Sequence, residues 1–163
     1  MNHDLVAQCR IETPLGPLTL AATARGLAAA LFDAQSHHPG AIEAPVDPRH
    51  PHLALAAREF AAYFAGTGQR FTVALDPAGT PFQQRVWQAL LEIAPGTRLS
   101  YAEIARRLGR PGAARAIGAA VGRNPIAIIV PCHRVVGSDG SLTGYAGGLP
   151  RKRALLAHET APA

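Results

Sequence analysis

Apolar positions along the chain fall into short runs of differing period. Leu18–Ala22 and Leu27–Phe32 are compact apolar segments separated near Gly26, and Arg10–Thr13 precedes them across the turn-rich Pro14-Leu15-Gly16-Pro17. Three short runs with turn signals between them predict an antiparallel meander. Residues 34–51 carry Pro39, Pro45, Pro48 and Pro51, with four histidines in the stretch to His52, and predict a long loop. Leu53, Ala57, Phe60 and Phe64 recur at helical spacing and stop before Gly66, which predicts a helix. Phe71–Leu75 reads as one more strand. Asp76-Pro77-Ala78-Gly79 then breaks the pattern, so two domains are expected, residues 1–78 and 79–163.

The period changes to helical in the second half. Thr80, Pro81 and Gln83 form a helix start with a capping box, and Phe82, Val86, Leu90 and Ile93 make its apolar stripe. Pro95-Gly96 ends it. Ser100 with Glu103 opens a second helix through Ile104, Ala105 and Leu108. After the turn Gly109-Arg110-Pro111-Gly112, a third helix runs to about Gly122. Helices joined by a short glycine-containing turn are either a helix-turn-helix or a plain αα-hairpin, and spacing alone does not separate them. In the third helix Ala113, Ile117 and Val121 are expected to face inward, leaving Arg115, Gly118, Ala119 and Gly122 outside. That outer face lacks the several long polar side chains that read base edges in the major groove. It suits close approach to a backbone or a minor groove with Arg115 as a single wedge, or tight packing within the protein.

The sharpest local feature is the run Asn124 to Val136. Ile126–Val130 predicts a buried strand that Pro131 stops, leaving Cys132 where a strand gives way to a turn. His133 and Arg134 follow, and both are expected to favour a thiolate. The alternative is a small cysteine buried as a hydrophobe.

Charge sharpens the contrast between the halves. Residues 1–78 hold five arginines against seven acids, net −2, and residues 79–163 hold eleven basic residues against four acids, net +7. The basic second half suggests a polyanion as partner. Cys9 and Cys132 are the two cysteines of the 163-residue sequence, which excludes a disulfide framework and a four-thiolate zinc site. The loop histidines do not form ligand pairs with them at zinc spacings, so no metal is expected. The apolar run Ile126–Val130 is too short to span a bilayer. Met1–Arg10 lacks the pattern of a secretory leader, so the expected compartment is the cytoplasm, with no membrane partner.

Pro131-Cys132-His133-Arg134 with its apolar approach resembles the active-site signature of the O6-alkylguanine-DNA alkyltransferases. The resemblance extends through Phe82–Trp87, Ser100-Tyr101, Ala113–Ala116, Asn124-Pro125, Gly144–Gly148 and Leu155–Glu159, covering about residues 79–160, and is weak in the first half. It implies a mixed α/β (α+β) fold. A ribonuclease H-like N-terminal domain would precede a mostly helical, winged-helix-like helix-turn-helix domain. It also implies direct reversal of DNA damage. Cys132 would accept the alkyl group of O6-alkylguanine, and less readily of O4-alkylthymine, once per molecule and without a cofactor.

By the same resemblance, His133 would deprotonate Cys132 through a water and Glu159 would orient the imidazole. Tyr101 would give a proton to N3 of the leaving guanine, with Lys152 assisting, and Asn124 would brace the turn. Arg115 would fill the gap left by the flipped nucleotide. Ala114, Gly118, Ala119 and Gly122 would line the DNA. Carbonyls of Cys132 and Val135, the N–H of Ala146 and the ring of Tyr145 would form the base pocket. Ala146 stands where some relatives have Ser. The expected partner is duplex DNA bound by a monomer, with cooperative binding along DNA left open. The competing expectations are a lesion-binding sensor that transfers nothing, a transcription factor and a cysteine hydrolase. The intact Cys132 and the bare outer helix face weigh against the first two, and the basic half against the third.

Overall fold

The computed structural model describes residues 4–68 and 70–161. The outermost residues of both expected domains, 1–3 and 162–163, lie outside it. Three strands, β1 (Ala7–Ile11), β2 (Leu18–Ala22) and β3 (Leu27–Phe32), pair antiparallel in sequence order. The meander is therefore as expected, but β1 begins earlier than Arg10. Thr13 belongs to the turn instead, where its hydroxyl accepts from the Leu15 N–H and donates to the Gly16 carbonyl.

Helix α1 (Pro51–Ala65) starts at Pro51, a favourable first position, and ends on Gly66, whose φ of +77° lies in the left-handed region. Its buried face is Leu53, Ala56, Phe60 and Tyr63, rotated from the stripe expected through Ala57 and Phe64. The strand expected at Phe71–Leu75 does not form: Leu75 makes one isolated bridge to Leu27. The Glu59 carboxylate instead accepts the N–H groups of Thr72 and Val73, giving that segment a side-chain partner in place of a ladder.

Helix α2 (Pro81–Leu90) has the capping box of Thr80 and Gln83. The short strand β4 (Leu99–Ser100) leads into α3 (Tyr101–Arg107), capped by Ser100 and Glu103. A turn with left-handed glycines, Gly109 at +71° and Gly112 at +87°, joins α3 to α4 (Ala114–Gly122). The helices α2, α3 and α4 pack together, with Ile117, Ala120 and Val121 of α4 buried. A 3-10 turn (Cys132–Arg134) leads to β5 (Val135–Val136), parallel to β4, and α5 (Leu149–Thr160) closes the fold.

The expected strand at Ile126–Val130 is a turn. Ile128 has φ +73°, and the Asn124 side chain supplies the partners that a neighbouring strand would have offered. Its amide donates to the carbonyls of Ile126 and Val130, and its Oδ1 accepts the Ile126 N–H. β3 reaches this turn directly: the Ala30 N–H donates to the Pro125 carbonyl at 2.9 Å, and the Ala127 N–H to the Ala30 carbonyl at 3.0 Å. One apolar cluster runs from Leu20 and Phe32 through Ile126 to Ile117 and Leu155. Among the described residues no helix is long and apolar enough to cross a membrane.

Candidate active site

Cys132 opens the 3-10 turn after Pro131 and is 6% exposed. The Asn124 amide that holds the preceding turn also donates to Cys132 Sγ at 3.2 Å. One side chain thus fixes both the backbone approaching the thiol and the sulfur itself.

His133 is fully buried, and its Nε2 lies 2.7 Å from Glu159 Oε2. A carboxylate only accepts, so the proton sits on Nε2, and Nδ1 carries the free lone pair. Nδ1 is buried without a hydrogen-bond partner among the described residues. Glu159, near the end of α5, is also held by Arg134. Its Nε donates to Oε1 and its Nη2 to Oε2, both at 2.8 Å, while Nη1 donates to the Ile93 carbonyl. The Tyr63 hydroxyl of α1 donates to Oε2 at 2.7 Å. Burial alone would raise the Glu159 carboxyl, but the hydrogen bonds from Arg134, His133 and Tyr63 hold it at about 2.

The electrostatics differ from the expectation of a resting thiolate. Burial pushes the Cys132 thiol up, against the opposing hydrogen bond from Asn124. Burial pushes His133 down, against the opposing hydrogen bond from Glu159. Arg134 spends its donors on Glu159 and Ile93 rather than on the sulfur. Both shifts favour the neutral forms, the thiol on Cys132 and the imidazole on His133.

A cavity of about 280 Å³ opens on Cys132. Tyr101, Gly118, Val121 and Gly122 line one side, and Gly144, Tyr145 and Ala146 the other. Thr143 Oγ1 donates to the Tyr101 hydroxyl at 3.3 Å. Lys152 was expected beside Tyr101, but its buried ammonium donates to the carbonyls of Val135, Thr143 and Gly144. It pins the pocket loop, because those carbonyls converge on it, and burial pushes its pKa down to about 8. The Tyr145 hydroxyl is buried without a hydrogen-bond partner among the described residues. On the outer face of α4, Arg115 and Ala119 are exposed, and Ala114, Gly118 and Gly122 are half-buried.

The structure brings Asn124 onto the Cys132 sulfur and Glu159 onto the adjacent His133. Sequence reasoning missed Tyr63, the pairing of Arg134 with Glu159, and the placement of Ser36 and His37 on the cavity wall. The Ser36 N–H donates to the Ala146 carbonyl at 2.8 Å. Tyr63 lies among apolar residues of α1 and carried no signal beyond its hydroxyl. Ser36 and His37 lay in a segment read only as loop.

Residues 81–161 match the family profile described as 6-O-methylguanine DNA methyltransferase, DNA binding domain. Residues 10–77 match that of the same methyltransferase's ribonuclease-like domain. The chain belongs to the 6-O-methylguanine DNA methyltransferase family. It is a DNA-binding methyltransferase of DNA repair. A methylated-DNA–protein-cysteine methyltransferase of Mycobacterium tuberculosis is 53% identical over 146 residues, which are 90% of this chain and 87% of the relative. One from Methanosarcina barkeri is 49% identical over 148 residues, 90% of this chain and 92% of the relative. The crystal structure of Mycobacterium tuberculosis OGT in complex with DNA superposes with a TM-score of 0.87 at 51% identity, covering 94% of this chain and 92% of that one. The two-domain α+β architecture of this family is thereby the architecture here.

Proposed function

We propose that this methyltransferase removes the alkyl group from O6-alkylguanine in duplex DNA and keeps it on Cys132, so that each molecule acts once. The observation that carries the reading is the buried thiol at the floor of a cavity, hydrogen-bonded by Asn124 and followed by the His133–Glu159 pair. In the reacting complex a water passes the thiol proton to His133 Nδ1, the free lone pair of the ring. The sulfur attacks the alkyl carbon in line as the O6–carbon bond breaks. Tyr101 gives its proton to N3 of the leaving guanine. The proton lost by the thiol is the one the base gains overall. Anionic Glu159 stabilises the imidazolium without taking its proton, the division of labour expected of a nucleophile, base and orienter.

The cavity is sized for a base rather than a duplex, so the nucleotide must leave the stack. The small residues Gly118, Ala119 and Gly122 suit close approach to DNA, and the exposed Arg115 would fill the vacated position. We place the alkyl-acceptor and DNA-binding work in residues 79–163 and take the active species to be a cytoplasmic monomer.

The test is mass spectrometry of the intact protein and its peptides after mixing with a duplex containing O6-methylguanine, with an undamaged duplex as control. One methyl gained on Cys132, with the base restored and no second turnover, is the expected result. Selective binding of the damaged duplex without an adduct would replace this reading with that of a lesion sensor.

A further inference from the structure

Three donors converge on one buried carboxylate: the His133 imidazole, the Arg134 guanidinium and the Tyr63 hydroxyl. The first two belong to the turn that carries the thiol. Tyr63 belongs to α1, ninety-six residues before Glu159 in the chain. We infer that Tyr63 is a positioning residue of the alkyl transfer, through which the N-terminal half fixes Glu159 and thereby the tautomer and basicity of His133.

Tyr63 is fully buried, so its hydroxyl has no water as an alternative partner. Its ring is held by Phe64 and Phe71 at centroid distances of 5.1 and 5.7 Å and by His158 at 4.9 Å. His158 Nε2 lies 2.6 Å from the Tyr63 carbonyl, so α5 grips α1 beside Glu159. A tyrosine needed only to fill space would be replaceable by phenylalanine here. The hydroxyl instead shares Oε2 with the His133 ring.

That sharing has a definite electrostatic sign. Every donor on Oε2 draws charge away from the bond to His133. The charged and titratable groups facing His133 are Glu159 and Lys152 of α5, Arg134 and Cys132 of its own turn, and Tyr63 of α1 through Glu159. Arg134 and Lys152 disfavour the imidazolium and Glu159 favours it. Removing the Tyr63 hydroxyl leaves Oε2 more charge for His133. The imidazolium is then better stabilised, and the ring is held less firmly because the carboxylate has lost an anchor. Deprotonation of Cys132 needs neutral His133, so the acid limb of the rate profile moves to higher pH.

This inference rests on the transfer reading above, and one experiment separates the two. Single-turnover reaction with free O6-benzylguanine, which needs no DNA binding, is followed across pH for the protein and for Tyr63→Phe. Ring-nitrogen NMR of His133 is recorded on both. The expected variant reacts roughly tenfold slower at its plateau, as for loss of a hydrogen bond to a charged group. Its acid limb lies at higher pH, and His133 shows mixed tautomers. A lower Tm with an unchanged rate–pH profile and an unchanged His133 spectrum would overturn the inference, because a purely structural contact predicts that pattern. If the unmodified protein forms no adduct, the transfer reading fails, while the ring-nitrogen spectra still decide whether Tyr63 governs His133. A ring-fluorinated tyrosine at position 63 keeps the shape and donates more strongly. It must move the acid limb the opposite way, and this holds even if Tyr63→Phe does not fold.

Discussion

Cys132 separates two regions built on opposite principles. Behind it, Asn124, His133, Arg134, Glu159 and Tyr63 are buried and bonded to one another or to backbone. In front of it, α4 presents glycines and alanines with one long exposed side chain, Arg115. The rear region is buried and its Glu159 carboxylate is shared by three donors, so removing one of those groups leaves a partner stranded in low dielectric. The front region is smooth, so removing its single long side chain strands nothing. Chemistry is therefore expected to be sensitive to every polar deletion behind the thiol, and recognition to depend on shape and one cation in front of it.

The comparison breaks most completely at the sulfur. Cys132→Ala should abolish transfer yet leave selective binding of the damaged duplex, read by adduct mass and by titration of labelled DNA. Transfer without the thiol would remove the rear region's role altogether. Next comes Glu159→Gln, which keeps the shape but takes the charge from Arg134 and His133. Transfer should fall by about 100-fold, within the span of lost general base catalysis. Stability should fall by about 3 kcal/mol, because a buried cation loses its partner; the rate and a denaturant titration check both.

Arg115→Ala then tests the front region. Repair of duplex substrate should slow by roughly tenfold, the scale of one lost favourable contact, while reaction with free O6-benzylguanine stays unchanged. Equal slowing of both would make Arg115 part of the rear machinery and erase the distinction.

The last effect bears on stability alone and leaves the reaction at neutral pH untouched. The Glu159 carboxyl is held at about 2 against an ordinary 4.5. A carboxyl depressed by folding stabilises the fold fully above its unfolded pKa, and the contribution is lost as pH falls from there through the folded value. The protein should lose about 3 kcal/mol between those limits, and Glu159→Gln should flatten that part of the stability–pH curve. Thermal unfolding at stepped pH measures it.

The helical features were legible because their signals are local. Thr80 with Gln83 and Ser100 with Glu103 fix helix starts within four residues, and both boxes form. The segments that misled the eye are those where a side chain replaces a ladder. Ile126–Val130 has the composition of a buried strand, but Asn124 bonds its backbone and folds it into a turn. Phe71–Leu75 is drawn to Glu59 in the same way. The site's inner members divide along the same line. Cys132 and His133 are adjacent and stand out. Tyr63 reaches Glu159 only through tertiary packing, for which a single chain carries no local mark.

The wall of the cavity opposite α4 is moored from outside the reaction. Ser36 holds Ala146, Lys152 holds Thr143, and Arg151 spans from the Gly147 carbonyl to the Leu15 carbonyl while its guanidinium lies 4.3 Å over the Phe32 ring. On the proposed transfer reading, a bulky adduct would meet this wall. On that reading, the tethers would set how far the wall can yield to a larger adduct. Leu15 and Ser36 hold the wall through their backbone groups, whereas Phe32 also belongs to the buried core. Tolerance and reactivity would then be set by different residues of one small protein.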